Sequence, residues 1–190
     1  MHDDRTLVEA TLARRPGAFE RLVRAHEKLV WHLVDRMVQH PEDTRELSQE
    51  VFLRVYQKLD QYRYESSLAT WIGRIAFSIA SRHLQRKRLP LDHGPRREED
   101  DADEALAQVG DDFDLAQACA DADLMRCVAA EMDALPPLQR TLVSLYHLEE
   151  LGIAEISAMT GQPEGTVKNY LFRARKRLRE RLEQAMGVHA

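Results

Sequence analysis

Positively charged side chains follow a predicted tight turn in the last quarter of the chain. Residues 153–182 have the pattern of a short helix, a turn at Thr160-Gly161-Gln162 and a second helix that Pro163 can begin. Gly161 supplies the positive φ that such a turn needs. The second helix carries seven cationic residues: Lys168, Arg173, Arg175, Lys176, Arg177, Arg179 and Arg181. A helix-turn-helix with a basic second helix typically places that helix in the major groove of DNA; a hairpin with a solvated charged face is the alternative.

A second group of residues suits unpaired nucleic acid. Helical spacing puts four residues on one side of a predicted helix, Trp71, Arg74, Ser78 and Arg82, while the apolar residues at 72, 75, 76 and 79 face elsewhere. Tyr62, Arg63 and Tyr64 lie just upstream. Aromatic rings stack on unpaired bases and guanidinium groups hold the backbone, so this face is a candidate site for single-stranded DNA. For Trp71 a core or hinge role is the alternative.

The elements that position these residues are predicted to be helices only. Glycine, proline and aromatic residues are scarce, and amphipathic periodicity marks helices over about 19–37, 47–59 and from Ser66-Ser67 onward, preceded by a shorter helix from about Arg5 to Arg14. We therefore expect an all-α protein of two small helical domains, 1–88 and 121–190. The segment 89–120 between them has the composition of a flexible acidic linker.

The distribution of charge explains how an acidic chain can bind DNA. The net charge is −5, but residues 89–123 hold twelve acidic against two basic residues, whereas residues 164–190 hold seven basic against three acidic. A further basic cluster, at 82, 86, 87 and 88, ends the first half. Two basic modules therefore flank an acidic connector. Binding to phosphates depends on the local field of each module and not on the total charge of the chain.

Other classes of function find little support in the sequence. The polar N-terminus has no secretory signal, and no apolar run approaches the roughly 20 residues of a membrane span, so we expect a cytoplasmic protein without a membrane segment. Cys119 and Cys127 lack the spacing of a zinc site, and the eight histidines are scattered. With no phosphate-binding loop or nucleophile motif, we expect no metal, no cofactor and no catalytic residues.

Three segments, 43–63, 65–88 and 135–182, together carry a specific resemblance. Their motifs LSQEVFLRVY, ESSLATWI followed by RIA, and GQPEGTVKNYLFRAR resemble those of bacterial RNA polymerase sigma factors of the extracytoplasmic function type. Such factors keep two domains, region 2 and region 4, joined by a flexible linker. The resemblance covers nearly all of the chain except the acidic connector.

The resemblance implies partners and sites. Core RNA polymerase, through its β′ clamp and β flap, and promoter DNA are the implied partners, with an anti-sigma factor as a further one. Free factors of this type commonly hide their DNA surfaces by packing the two domains together or on an anti-sigma factor. The residues implied to bind the clamp are Asp43, Glu46, Leu47, Gln49, Glu50 and Phe52. Those implied to bind the unpaired minus-10 element are Tyr64, Trp71, Arg74, Ser78 and Arg82. Those implied to read the minus-35 duplex are Glu164, Gly165, Thr166, Lys168, Asn169, Phe172, Arg173 and Lys176.

Two positions depart from the family pattern. Arg45 stands in an otherwise acidic run, Asp43-Thr44-Arg45-Glu46, which can weaken docking on polymerase. Thr44 is a conceivable phosphorylation site, since phosphate would restore negative charge there. Ser157 replaces a frequent alanine and keeps a small side chain.

Several alternatives stay open at this point. The connector either threads basic channels of the polymerase or is a solvated tether. A free-standing helix-turn-helix regulator would account for the second domain but not for the first. A scaffold protein that uses the same fold and an enzyme are weaker alternatives.

Overall fold

The computed structural model describes residues 2–88 and 122–185, all of whose regular elements are helical. In chain order the helices are α1 (His2–Leu12), α2 (Ala18–Val38), α3 (Pro41–Lys58), α4 (Leu68–Arg88), α5 (Ala122–Asp133), α6 (Pro137–His147), α7 (Ile153–Thr160) and α8 (Glu164–Ala185). A single 3-10 turn, Leu59–Gln61, follows α3. The predicted linker 89–120 and Cys119 lie outside the described residues.

The ends of the helices follow from local chemistry. Ser67 Oγ accepts a hydrogen bond from the backbone N–H of Thr70 at 3.1 Å, which caps the start of α4. Pro41 occupies the first turn of α3, where its missing N–H has no partner. Arg14 adopts a left-handed backbone with φ of 53°, so α1 ends at Leu12 and does not reach Arg14 as the sequence predicted.

The first half is a four-helix bundle around α2 and α4. Both helices bury a complete apolar stripe: Leu22, Val30, Leu33, Val34 and Met37 from α2, with Leu68, Ile72, Ala76 and Ile79 from α4. Val51 and Val55 of α3 close the bundle, and Val8 attaches α1. At roughly 1.5–3 kcal/mol per buried aliphatic side chain, these stripes are the main source of stability for the bundle.

The second half packs directly on the first. Helix α6 lies against α2 and α7 lies against α4, so the buried side chains of both halves join into one cluster. Helix α8 packs on α5, α6 and α7 through Val167, Leu171, Ala174 and Leu178. None of the helices in the described ranges combines the length and apolar composition needed to cross a membrane.

Candidate polymerase and nucleic-acid interfaces

Helix α3 exposes a stripe of mixed polar and apolar side chains. Glu46, Gln49 and Glu50 are exposed, so a binding partner such as the polymerase clamp can reach them. Leu53 and Tyr56 extend the same stripe and are 58% and 49% exposed. The sequence prediction missed both, although Leu53 falls outside the buried period of this helix and so signals exposure. Exposed apolar side chains beside carboxylates give α3 the character of a protein-binding surface.

Two of the predicted clamp-binding residues are not fully exposed. Leu47 is 7% exposed and packs in the core, and Phe52 is half-buried against that core. A partner can therefore reach part of Phe52, whereas Leu47 acts by holding α3 on the bundle.

Asp43 connects α3 to the end of α4. Its Oδ2 lies 2.6 Å from Lys87 Nζ, 3.3 Å from His83 Nε2 and 3.5 Å from His40 Nδ1. The hydrogen bond from Lys87 holds the pKa of Asp43 below its usual value. The predicted partner-binding carboxylate is thus already engaged by the helix that carries the predicted DNA-binding face.

Thr44 is fully buried in the structure. Its side chain is 0% exposed, and its Oγ1 has no hydrogen-bond partner among the described atoms. A kinase could reach this hydroxyl only if the start of α3 unwound, so the burial argues against phosphorylation of the folded protein at this position.

Three aromatic rings form a cluster before and within the first turn of α4. The ring of Tyr62 lies 4.7 Å from that of Tyr64 and 5.5 Å from that of Trp71. Tyr62 is buried, which raises the pKa of its phenol, and its hydroxyl donates to the Ser66 carbonyl at 2.7 Å. Tyr64 is 41% exposed and Trp71 is half-buried. The inner ring therefore supports two outer rings that solvent, or a base, can reach.

The outer face of α4 is exposed but faces α7 across a cleft. Arg74, Ser78 and Arg82 line this cleft, which has a volume of about 700 Å³, together with the turn from Ser157 to Pro163. Arg74 Nε donates to the Ala158 carbonyl at 2.9 Å. The predicted minus-10 face and the helix-turn-helix therefore meet in this structure.

Gly73 makes the close approach of α4 and α7 possible. A Cβ placed on Gly73 would lie 2.6 Å from Sδ of Met159, whose side chain is 1% exposed. Met159 thus fills the space left by the missing side chain. The contact lies next to Arg74 on the same helix.

A buried arginine closes the opposite side of the junction. Arg140 of α6 is 2% exposed and donates to the carbonyls of Arg36 and Met37 in the first half and of Asp133 and Leu135 in the second. Burial lowers the pKa of Arg140, and Asp133 acts against this. A guanidinium has enough N–H donors for four carbonyls, so it joins the C-terminal ends of α2 and α5.

The helix-turn-helix has the geometry that its sequence predicts. Gly161 has φ of 72°, and Ser157 Oγ donates to the Gln162 carbonyl at 2.7 Å, which fixes the turn. Ile156, Val167 and Leu171 are buried in the seam between α7 and α8. Helix α8 begins at Glu164, because the Pro163 carbonyl accepts from the N–H of Val167.

The predicted duplex-reading residues share one accessible surface of α8. Thr166 is half-buried; the others are exposed: Glu164, Gly165, Lys168, Asn169, Phe172, Arg173 and Lys176. Phe172 is 43% exposed, so its ring is accessible on this face of the helix. Anionic, cationic and apolar side chains on one helix face match the varied edges of bases in a major groove.

Comparison with known proteins decides the family. The family model described as Sigma-70 region 2 matches residues 22–89, and that described as Sigma-70, region 4 matches residues 125–178. The ECF RNA polymerase sigma-E factor of Escherichia coli K12 is 30% identical over 184 residues, covering 95% of this chain and 94% of that protein. The chain belongs to the sigma-70 family, among the sigma factors of the extracytoplasmic function type.

Further relatives are similar to this sigma factor over most of its length. The RNA polymerase sigma-H factor of Pseudomonas aeruginosa is 29% identical over 181 residues, covering 95% of this chain and 94% of that one. The fold resembles CnrH solved with the cytosolic domain of CnrY, with a TM-score of 0.65, 20% identity and coverage of 95% and 97%. It also resembles RpoE from Bartonella quintana solved with the anti-sigma factor NepR, with a TM-score of 0.62, 21% identity and coverage of 88% and 98%.

Family membership decides between a sigma factor and a free-standing helix-turn-helix regulator. As a sigma factor, the protein binds RNA polymerase and directs it to promoters. A free-standing helix-turn-helix regulator is not supported, because the match to region 2 spans α2 to α4, which such a regulator does not need.

Proposed function

We propose that α3 binds the β′ clamp of core RNA polymerase, that α4 and the aromatic cluster capture the unpaired minus-10 element, and that α8 reads the minus-35 element as duplex. The observation that carries this proposal is the two-sided character of α4. One side of the helix is completely buried, while the other presents Arg74, Ser78 and Arg82 in line with the rings of Tyr64 and Trp71. Guanidinium groups beside accessible aromatic rings, on which unpaired bases can stack, are the elements of a single-strand site.

The functional units in this proposal are 1–88 for polymerase and the minus-10 element, 121–190 for the minus-35 element, and 89–120 as the acidic linker. The β flap of the polymerase is the expected contact of the second unit. The protein acts by binding alone, without covalent chemistry, in the cytoplasm where polymerase works.

The junction of α4 with α7 gives this scheme an order of events. Because Arg74 is bonded to Ala158 and its face lies across a cleft from the helix-turn-helix, this arrangement restricts the approach of a DNA strand to α4. We propose that the structure represents the closed form of the free protein and that polymerase binding, by holding the two units apart, opens it. A ligand shifts such an equilibrium by its preference for one state, and the open form alone can reach both promoter elements.

An anti-sigma factor is the second proposed protein partner. CnrH and RpoE from Bartonella quintana were each solved with a protein partner, CnrY and NepR. The exposed stripe of α3 and the outer face of α4 are the surfaces that such a partner would cover to keep this protein from polymerase and DNA.

Run-off transcription tests the proposed function. Core polymerase is incubated with a library of promoter fragments, with and without the purified protein, and binding to core polymerase is measured in parallel. We expect transcripts that depend on the protein and start at sites sharing two short upstream elements. Absence of such transcripts together with absence of binding to core polymerase would refute the proposal. Tight binding to a palindromic duplex without polymerase would instead support a free-standing regulator.

A further inference from the structure

Helix α1 lies outside the match to the region 2 family model, and none of its side chains is given a role in the proposed function. The match to region 2 begins at residue 22, whereas α1 spans His2–Leu12. The helix is nevertheless fixed to the bundle, because Val8, Ala10 and Thr11 are buried and α1 packs against α2 and the 3-10 turn. Side chains on its outer surface are therefore held in a defined position near the start of α4.

One of these side chains reaches the aromatic cluster. The guanidinium carbon of Arg5 lies 5.6 Å from the centre of the Tyr64 ring, within the range of a cation–π interaction. Since Tyr64 contacts Tyr62 and Tyr62 contacts Trp71, the four side chains form one continuous row. Arg5 is the outermost member, and its side chain is 70% exposed.

Tyr64 combines an uncommon backbone conformation with an exposed ring, which Arg5 contacts from the side of α1. Tyr64 has φ of 60°, in the left-handed region that a bulky residue rarely adopts, and the ring is 41% exposed. An exposed ring on a strained loop reorients readily unless a neighbour restrains it. The cation–π contact with Arg5 contributes to that restraint, in addition to the contact with the Tyr62 ring.

Arg5 also has donors to spare for a phosphate. Its bond to Glu9 Oε1, 3.0 Å long, uses Nε, and the two terminal nitrogens carry four further N–H groups. Both members of this pair are exposed, at 70% and 61%, so a competing anion can displace the carboxylate at little cost. Asp4 and Glu9 make the rest of this surface acidic, and Arg5 is the one Lys or Arg in the sequence of α1.

We propose that Arg5 is a further positioning residue for the capture of unpaired promoter DNA. It holds the Tyr64 ring in place for stacking, and its terminal nitrogens bind a backbone phosphate of the strand that lies along the row to Trp71. The inference rests on the proposed function. It extends the proposed minus-10 surface onto α1, a helix that the match to the region 2 family model does not include.

The test uses the complete chain bound to core polymerase and a labelled single-stranded oligonucleotide carrying the non-template minus-10 sequence. Arg5→Ala is compared with Arg24→Ala, a closely matched control. Arg24 is 73% exposed and bonded to Glu20 at 2.6 Å, so it too pairs with a glutamate four residues away. No aromatic ring lies within cation–π distance of Arg24 in the described part of the chain.

We expect Arg5→Ala to weaken oligonucleotide binding about threefold to tenfold, and Arg24→Ala to leave it unchanged. The dependence of binding on salt should also fall for Arg5→Ala, by about 0.7 in log–log slope, because one phosphate contact is lost. Arg5→Lys should keep the slope of the wild type, since its charge remains, while binding more weakly than wild type. A purely structural role would not change the slope.

Trp71→Ala, measured in the same assay, distinguishes a failure of the proposed role of Arg5 from a failure of the proposed minus-10 surface. If Trp71→Ala weakens binding while Arg5→Ala behaves like Arg24→Ala, the role of Arg5 is refuted and the proposed function stands. If Trp71→Ala also binds like the wild type, the proposed minus-10 surface itself is refuted.

Discussion

At the scale of single residues, the half-buried position of Trp71 is compatible with both packing and the proposed binding of a base. The ring is half-buried, so the sequence alternative of a core residue is partly right, yet one part of it remains accessible beside Arg74. A ring with its edge held by the protein loses little conformational entropy when a base stacks on its open face. This arrangement suits capture of a base that has just left the duplex.

Replacement of Trp71 should impair promoter opening selectively. We expect Trp71→Ala to weaken open-complex formation by about 1–3 kcal/mol, roughly 5- to 150-fold, because a stacking platform is lost. Binding to core polymerase should be unchanged, since α3 is untouched. Permanganate footprinting of the unpaired bases measures the opening. Trp31→Ala, which removes the other tryptophan, 40% exposed on α2, should open promoters normally. Equal defects in the two variants would contradict the assignment.

His26 should make stability depend on pH. Burial lowers the pKa of His26 below the usual 6.5, and Nε2 has no hydrogen-bond partner among the described atoms. As the pH falls below about 6.5, the unfolded chain binds a proton that the folded chain resists, so the free energy of unfolding decreases until the lowered pKa is passed. His26→Leu should lose less stability between pH 7.5 and pH 5.5 in urea unfolding. An identical loss in both proteins would show that His26 does not contribute.

At the scale of elements, the contact of α4 with α7 depends on a missing side chain. Gly73→Ala places a methyl group 2.6 Å from Met159 Sδ, so the buried Met159 side chain must shift, and we expect the contact to loosen. Alanine also stabilises the interior of α4 by about 0.5–1 kcal/mol, so the bundle itself should not unfold. We expect the free Gly73→Ala protein to show a larger radius of gyration in small-angle X-ray scattering.

Gly165→Ala is the control for this experiment, because a Cβ at Gly165 meets no atom within 4 Å. Its radius of gyration should equal that of the wild type. If Gly73→Ala stays as compact as this control, the two halves are not held closed by this contact.

Helix α8 should read the upstream element through residues near its start. Lys168→Ala should weaken binding of the polymerase complex to minus-35 duplex by about 1–3 kcal/mol if the lysine contacts a base. If it contacts a phosphate, the salt slope should fall by about one. Arg177→Ala lies beyond the predicted set on the same helix and should change neither quantity. Duplex titrations at several salt concentrations provide both values, and equal effects of the two variants would contradict the placement of the groove-facing residues.

At the scale of the whole molecule, the sequence predicts the parts better than their arrangement. Ser67 and Gly161 signal a helix cap and a turn through local chemistry, and both are found where expected. The bond from Arg74 to Ala158 and the bonds from Arg140 to the carbonyls of Arg36 and Met37 join residues far apart in the chain. No periodic pattern encodes such contacts. The same limit explains why Arg5, whose role depends on a ring 59 positions away, gave no signal.

The closed arrangement gives the molecule a simple way to avoid nonproductive binding. The proposed minus-10 face lies across a cleft from the turn between α7 and α8 and is tied to it by the bond from Arg74 to Ala158, so this face is not fully available before the halves separate. The predicted duplex-reading residues of α8 lie outside this cleft. If the closed form dominates in the free chain, apparent affinity for DNA falls by the fraction that is open. In the proposed mechanism polymerase restores that affinity by binding the open form.

Equilibrium binding of a labelled single-stranded minus-10 oligonucleotide tests whether α4 and the aromatic cluster capture the unpaired strand once polymerase is bound. It is measured with core polymerase alone, with the free protein alone, and with the two together. We expect the complex to bind at least about tenfold more tightly than either component, because polymerase opens the chain and exposes α4 with its aromatic cluster. Binding by the complex that is no tighter than binding by core polymerase alone would contradict this expectation.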